Sequence, residues 1–145
     1  MPISQKVRDL IAAAWPDFFP CLVGTIGENG PQISPKSSVR VLDDEHLAYW
    51  ERSKRSALEN VKYDNRVCVY YANFQDMKDG KSPRPILFRF YGTARLVEKG
   101  DPMWQRIFDN MQSEFEWKHA GADTAVGVLV KIDRAENLVG KPIEL

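Results

Sequence analysis

Imidazole and thiol are scarce in this chain: its 145 residues include two histidines and two cysteines. His46 and His119 have no partner at metal-ligand spacing, so the sequence offers no zinc motif. Cys21 and Cys68 each sit in an apolar run that reads as a strand, which suits a buried free thiol better than a disulfide or a metal site. An excess of charge of one sign is also missing. Lys plus Arg number 20 and Asp plus Glu number 20. Nucleic-acid binders carry a basic excess, so none is expected to bind here. No apolar run is long enough to span a membrane. Lys6 and Arg8 precede an apolar stretch from Leu10 to Trp15, but Pro16 and Asp17 cut it too short for a secretory signal core. The expectation is a cytoplasmic protein with no membrane association. Catalytic motifs are lacking as well. There is no Gly-rich phosphate loop, and no Ser/His/Asp or Cys/His arrangement stands out. If the chain is an enzyme, a cofactor carries the hard chemistry.

What is present is a full core. Hydrophobic residues make up 43% of the chain, enough for a single domain over residues 1–145 without staples. Ser4 can cap a helix to about Ala14, with Val7, Leu10, Ile11 and Ala14 on one face. Six strands follow: Cys21 to Ile26, Gln32 to Leu42, His46 to Glu51, Arg66 to Phe74, Pro85 to Val97 and Thr124 to Asp133. Between the first two lies Gly27-Glu28-Asn29-Gly30-Pro31, where Asn and Gly supply positive φ angles. Helices are expected over 54–63 and 101–119, the second carrying Met103, Ile107, Met111 and Phe115 in a stripe. Residues 75–84 read as a loop. Strands at short spacing with single helices between them predict an all-β-dominated fold, a closed antiparallel barrel. A doubly wound parallel sheet would need a helix after nearly every strand.

Two segments carry chemistry. Arg52-Ser53-Lys54-Arg55-Ser56 places three cations and two hydroxyls at the junction of the third strand and a helix. Helix N-termini offer free N–H groups to a phosphate, and cations strengthen the contact. The same residues also read as a solvated basic patch with an ordinary helix cap. Ser34-Pro35-Lys36-Ser37-Ser38-Val39-Arg40 lies on the second strand. Its serines suit either hydrogen bonding to a polar ring or a plain polar edge.

Taken together, LVGTIGENGPQISPKSSVRVLDDEHLAYW, SKRSALENVKYDNRVCVYY and FRFYGTARLV resemble the pyridoxamine phosphate oxidase-like family, the flavin-binding split barrels. The resemblance covers residues 18–133. It implies a six-stranded split barrel that dimerises, with FMN held at the subunit interface. It also implies a flavin-dependent oxidoreductase or electron carrier acting on a small-molecule substrate or redox partner. By resemblance, Lys36, Ser37, Ser38, Val39 and Arg40 meet the flavin and ribityl chain, and Trp50 and Glu51 run beside the ring. Lys54, Arg55 and Ser56 grip the phosphate, with Arg40 adding charge. Asn60 is a further polar contact. Ala57 stands where the family often has Lys. Trp117 of a second subunit is a candidate cover for the ring, and Tyr70, Tyr71, Phe88, Phe90 and Tyr91 are candidates for the dimer face. The chain ends at NLVGKPIEL, without the Arg- and Trp-rich segment that holds pyridoxal phosphate, so pyridoxamine phosphate oxidation is not expected. A flavin store or sensor, and a deazaflavin- or haem-binding relative of the fold, are the alternatives.

Overall fold

A computed structural model describes residues 2–52, 56–110 and 125–143. Eleven elements follow one another: α1 (Gln5–Ala13), β1 (Cys21–Gly27), β2 (Gly30–Lys36), β3 (Arg40–Val41), β4 (His46–Glu51), α2 (Ser56–Tyr63), β5 (Arg66–Asn73), α3 (Gln75–Lys78), β6 (Ile86–Val97), α4 (Pro102–Asp109) and β7 (Val126–Glu136). The strands form one antiparallel sheet in the order β2-β1-β5-β6-β7-β4-β3. β2 and β3 are opposite edges of that sheet, yet only residues 37–39 separate them in sequence. Three residues span roughly 10 Å, so the sheet must curl until its edges meet. This is a split barrel, with a seam between its edges.

Among the described residues the strands number seven, not six. The expected strand from Gln32 to Leu42 breaks at Ser37–Val39 because the chain there crosses from one sheet edge to the other. β3 is consequently short, pairing only Arg40 with Ala48 and Val41 with Leu47. Ser38 would face Trp50 in the same register. Instead of a backbone carbonyl, its buried hydroxyl accepts the Trp50 N–H at 2.9 Å. A serine on this strand thus extends the ladder past its end.

Other boundaries follow local chemistry. Ser4 Oγ accepts from Val7 N at 3.3 Å and starts α1, and Asp101 Oδ1 accepts from Met103 N at 2.9 Å and starts α4. The expected continuation of α4 through 111–119 lies outside the described residues. In the β1–β2 hairpin only Gly30 takes a positive φ, 114°, and Asn29 does not. The expected loop 75–84 opens with one helical turn, α3, begun by Asn73 Oδ1 accepting from Gln75 N. β7 runs three residues past Asp133, because a bulge at Tyr91/Gly92 lets Arg134–Glu136 continue the pairing with β6. At Gly92 a methyl group would overlap the Lys131 carbonyl oxygen.

The curl encloses an apolar core that includes Val23, Leu47, Tyr49, Val69, Tyr71, Phe90, Val128 and Val130, with Ile11 of α1 in the same cluster. Tyr71 and Phe90 are fully buried. They belong to the core rather than to the outward aromatic face expected of them, since strand alternation turns them inward. A smaller cluster outside the barrel joins Trp50 to Trp104 and Ile107 of α4.

Candidate functional site

The chain crosses the seam beside a cavity of about 360 Å³, lined by Trp15, Pro35, Lys36, Ser37, Ser38, Trp50, Glu51 and Arg52. Lys36 ends β2 and Glu51 ends β4. Their side chains meet across the gap, Lys36 Nζ lying 2.8 Å from Glu51 Oε1. The Glu51 side chain is 2% exposed and that of Lys36 15%. Burying two charges is unfavourable unless they compensate one another. Lys36 Nζ also lies 5.9 Å from the centroid of the buried Tyr49 ring. Burial pushes the Tyr49 phenol up from its ordinary range, and the Glu51 charge adds to the effect.

The walls are aromatic and held from behind. Trp50 packs on Trp104 with ring centroids 5.2 Å apart, and Trp104 stacks on Phe108 at 5.6 Å. Trp104 Nε1 donates to Ala125 O at 3.0 Å. This stack fixes the plane of Trp50. Trp15 forms the open side, 46% exposed. It is delivered by the turn after α1, in which Phe18 takes a left-handed φ of 62°, uncommon for an aromatic residue. Arg52 Nη2 donates to Ser37 Oγ at 3.4 Å, so a second cation stands at the rim.

The structure sorts the expected site residues into groups. Lys36, Ser37, Ser38, Trp50 and Glu51 converge on the seam cavity. Val39 is in the core. Arg40 turns back on its own strand, Nη1 donating to Val39 O at 2.8 Å and to Ser37 O at 3.4 Å. It lines a separate cavity of about 180 Å³ with Arg8, Asp9 and Asn110. Ser56 and Asn60 line a third cavity, about 690 Å³, between α2 and the β1–β2 hairpin. There Asn60 Nδ2 donates to Thr25 Oγ1 and Gln32 Oε1, at 3.0 and 3.2 Å, and binds α2 to the hairpin. Lys54, Arg55 and Trp117 lie outside the described residues. Trp15 was not anticipated. Its only sequence signal was an aromatic residue immediately before the proline that ends α1. Arg52 was legible as part of the basic cluster, but not as a wall of this cavity.

The cavity suits a planar, polar-edged ring. It is at the lower end of the volumes that small-molecule sites occupy. Two cations, two hydroxyls and one carboxylate line it, together with two tryptophans. Such a donor set with aromatic walls fits a flavin. His46 stands at the far end of β4, its Nδ1 2.8 Å from Asp43 Oδ1.

Comparison with known proteins agrees with the fold. HupZ of Group A Streptococcus superposes with a TM-score of 0.72 at 24% identity, covering 98% of this chain and 99% of that one. HutZ, the haem storage protein of Vibrio cholerae, gives 0.67 at 14%, covering 94% and 95%. An F420 reductase gives 0.63 at 14%, covering 92% and 98%. Among curated proteins, none matches this sequence. The sequence model of the pyridoxamine 5'-phosphate oxidase family matches residues 5–137. By that match over most of its length, and by its split-barrel fold, this chain belongs to the pyridoxamine 5'-phosphate oxidase family.

Proposed function

We propose that this protein binds FMN in the seam cavity, between two copies of the chain, and acts as a flavin-dependent oxidoreductase or electron carrier. The observation that carries the reading is the convergence of Lys36, Ser37, Ser38, Trp50 and Glu51 with Arg52 and Trp15 in one cavity. Bound FMN supplies electron acceptance and donation at its ring. The chain's own residues bind and orient. Lys36, Ser37 and Arg52 present donors to polar ring edges, and Trp50, braced by Trp104, offers an apolar wall that excludes water. Arg52 leads into Ser53-Lys54-Arg55-Ser56, where two more cations and two hydroxyls run into α2, which begins at Ser56. That sequence is the proposed phosphate anchor.

A second copy of the chain is the proposed partner. The cavity is open on its Trp15 side. The outer sheet face carries an apolar groove of about 350 Å³ lined by Leu22, Gly24, Ile33, Cys68 and Tyr70, with Ile33 71% exposed. Apolar surface of this kind favours association.

The test is to denature the purified protein and identify the released chromophore, followed by titration of FMN and riboflavin into wild type and Arg55→Ala. Charge-assisted contacts to phosphate are worth on the order of 1.5–3 kcal/mol. FMN affinity is therefore expected to fall about tenfold to a hundredfold, while riboflavin, which lacks the phosphate, is unaffected. Release of haem and no flavin, or equal FMN affinity in both proteins, would overturn the corresponding part of the reading.

A further inference from the structure

Glu51 is the one buried carboxylate among the described residues, and it lines the seam cavity. An ionised carboxylate offers about four lone-pair positions. Among the described residues one cation reaches it, Lys36 Nζ at 2.8 Å, which leaves most of that acceptor capacity unused. Fold stability is a weak account of the pair, because apolar side chains of similar volume often replace buried ion pairs without loss. The same cavity presents donors beside the carboxylate: the Lys36 ammonium, the Ser37 hydroxyl and the Arg52 guanidinium. The lining therefore sets one acceptor among several donors.

We propose that Glu51 accepts a hydrogen bond from the N–H of an imide edge, so that this cavity recognises the carbonyl, N–H, carbonyl edge of a flavin or deazaflavin pyrimidinedione. The proposal rests on the reading of the cavity as a flavin site and goes further by assigning the ring edge. It also sets a ligand preference. A carboxylate-bearing ligand in the same place, such as a haem propionate, would bring a second anion against Glu51 with no proton to share.

The test compares FMN with its N3-methyl derivative, which keeps ring, ribityl chain and phosphate but loses the imide proton. Both are titrated into wild type and into Lys36→Met/Glu51→Leu, a double variant that leaves no buried charge unpaired. In wild type, N3-methylation is expected to weaken binding by about tenfold to a hundredfold, the effect of one hydrogen bond to a charged acceptor. In the double variant it should change affinity by less than about threefold. An equal penalty in both proteins overturns the assignment. So does wild type that binds the two flavins alike, although the flavin site itself would then stand. Wild type that binds neither flavin overturns both. A second measurement needs no variant. The N3–H proton of ¹⁵N-labelled FMN bound to wild type should be shifted downfield and protected from solvent. Exchange as fast as in free FMN overturns the proposal.

Discussion

Replacing Lys36 alone should damage this protein more than replacing Lys36 and Glu51 together. At 2.8 Å and an effective dielectric of about 20, the attraction between the two charges is roughly 6 kcal/mol. Desolvating two ions costs several kcal/mol each, so the net worth of the pair is near zero. Lys36→Met keeps most of the stem but leaves Glu51, its side chain 2% exposed, with no counter-charge. The cost should be about 3–5 kcal/mol. Lys36→Met/Glu51→Leu removes both charges and should stay within about 1 kcal/mol of wild type. For a chain of this length a urea m-value of about 2 kcal/mol/M is reasonable. The single variant should then lower the midpoint by roughly 1.5–2.5 M and the double variant by no more than about 0.5 M. Urea titration followed by tryptophan fluorescence and by circular dichroism measures both. A single variant within about 0.5 M of wild type would show that solvent screens the pair. A double variant as unstable as the single one would show that the loss is packing, not charge.

Ser38→Ala should cost about 1–3 kcal/mol, because it strips the buried Trp50 N–H of its acceptor; thermal melting checks it, and Ser38→Thr should recover part of the loss. Gly92→Ala sets a methyl group against the Lys131 carbonyl and the Val130 side chain at the β6 bulge, and overpacking of this kind costs about 1–3 kcal/mol, read as a lower urea midpoint. Cys21 should not react with a thiol reagent at pH 8 in the folded protein, since burial pushes its thiol up to about 12 against a weaker opposing pull from Arg40, whereas half-buried Cys68, also raised chiefly by burial, should react slowly. The same shift has a sign in stability. A folded-state value above the ordinary one favours the folded protein fully below pH 9, and that contribution is lost as pH rises from 9 towards 12, measurable as a falling melting temperature over that range.

The sequence by itself determined what depends on neighbours along the chain. Alternation placed β6, because side chains two apart share a sheet face, while an apolar run placed β1 and β-branched and aromatic composition placed β5. Ser4 and Asp101 announced their helices, because a short acceptor there satisfies N–H groups the helix leaves free. Gly30 marked the hairpin, because its φ of 114° is a conformation that L side chains rarely adopt. The Lys36–Arg40 segment was legible as a place for chemistry from residue type, and the Trp50–Glu51 strand end from the family resemblance. Only the tertiary structure decided how those segments meet. Curling the sheet forces a break at Ser37–Val39, and that break splits the segment three ways. Lys36, Ser37 and Ser38 go to the seam cavity, Val39 to the core and Arg40 to a different cavity. The Lys36–Glu51 pair exists because barrel closure brings the ends of β2 and β4 together. Trp15 arrives because the turn after α1 delivers it to the same seam. No local periodicity records such meetings, since they are fixed by which sheet edges close on one another.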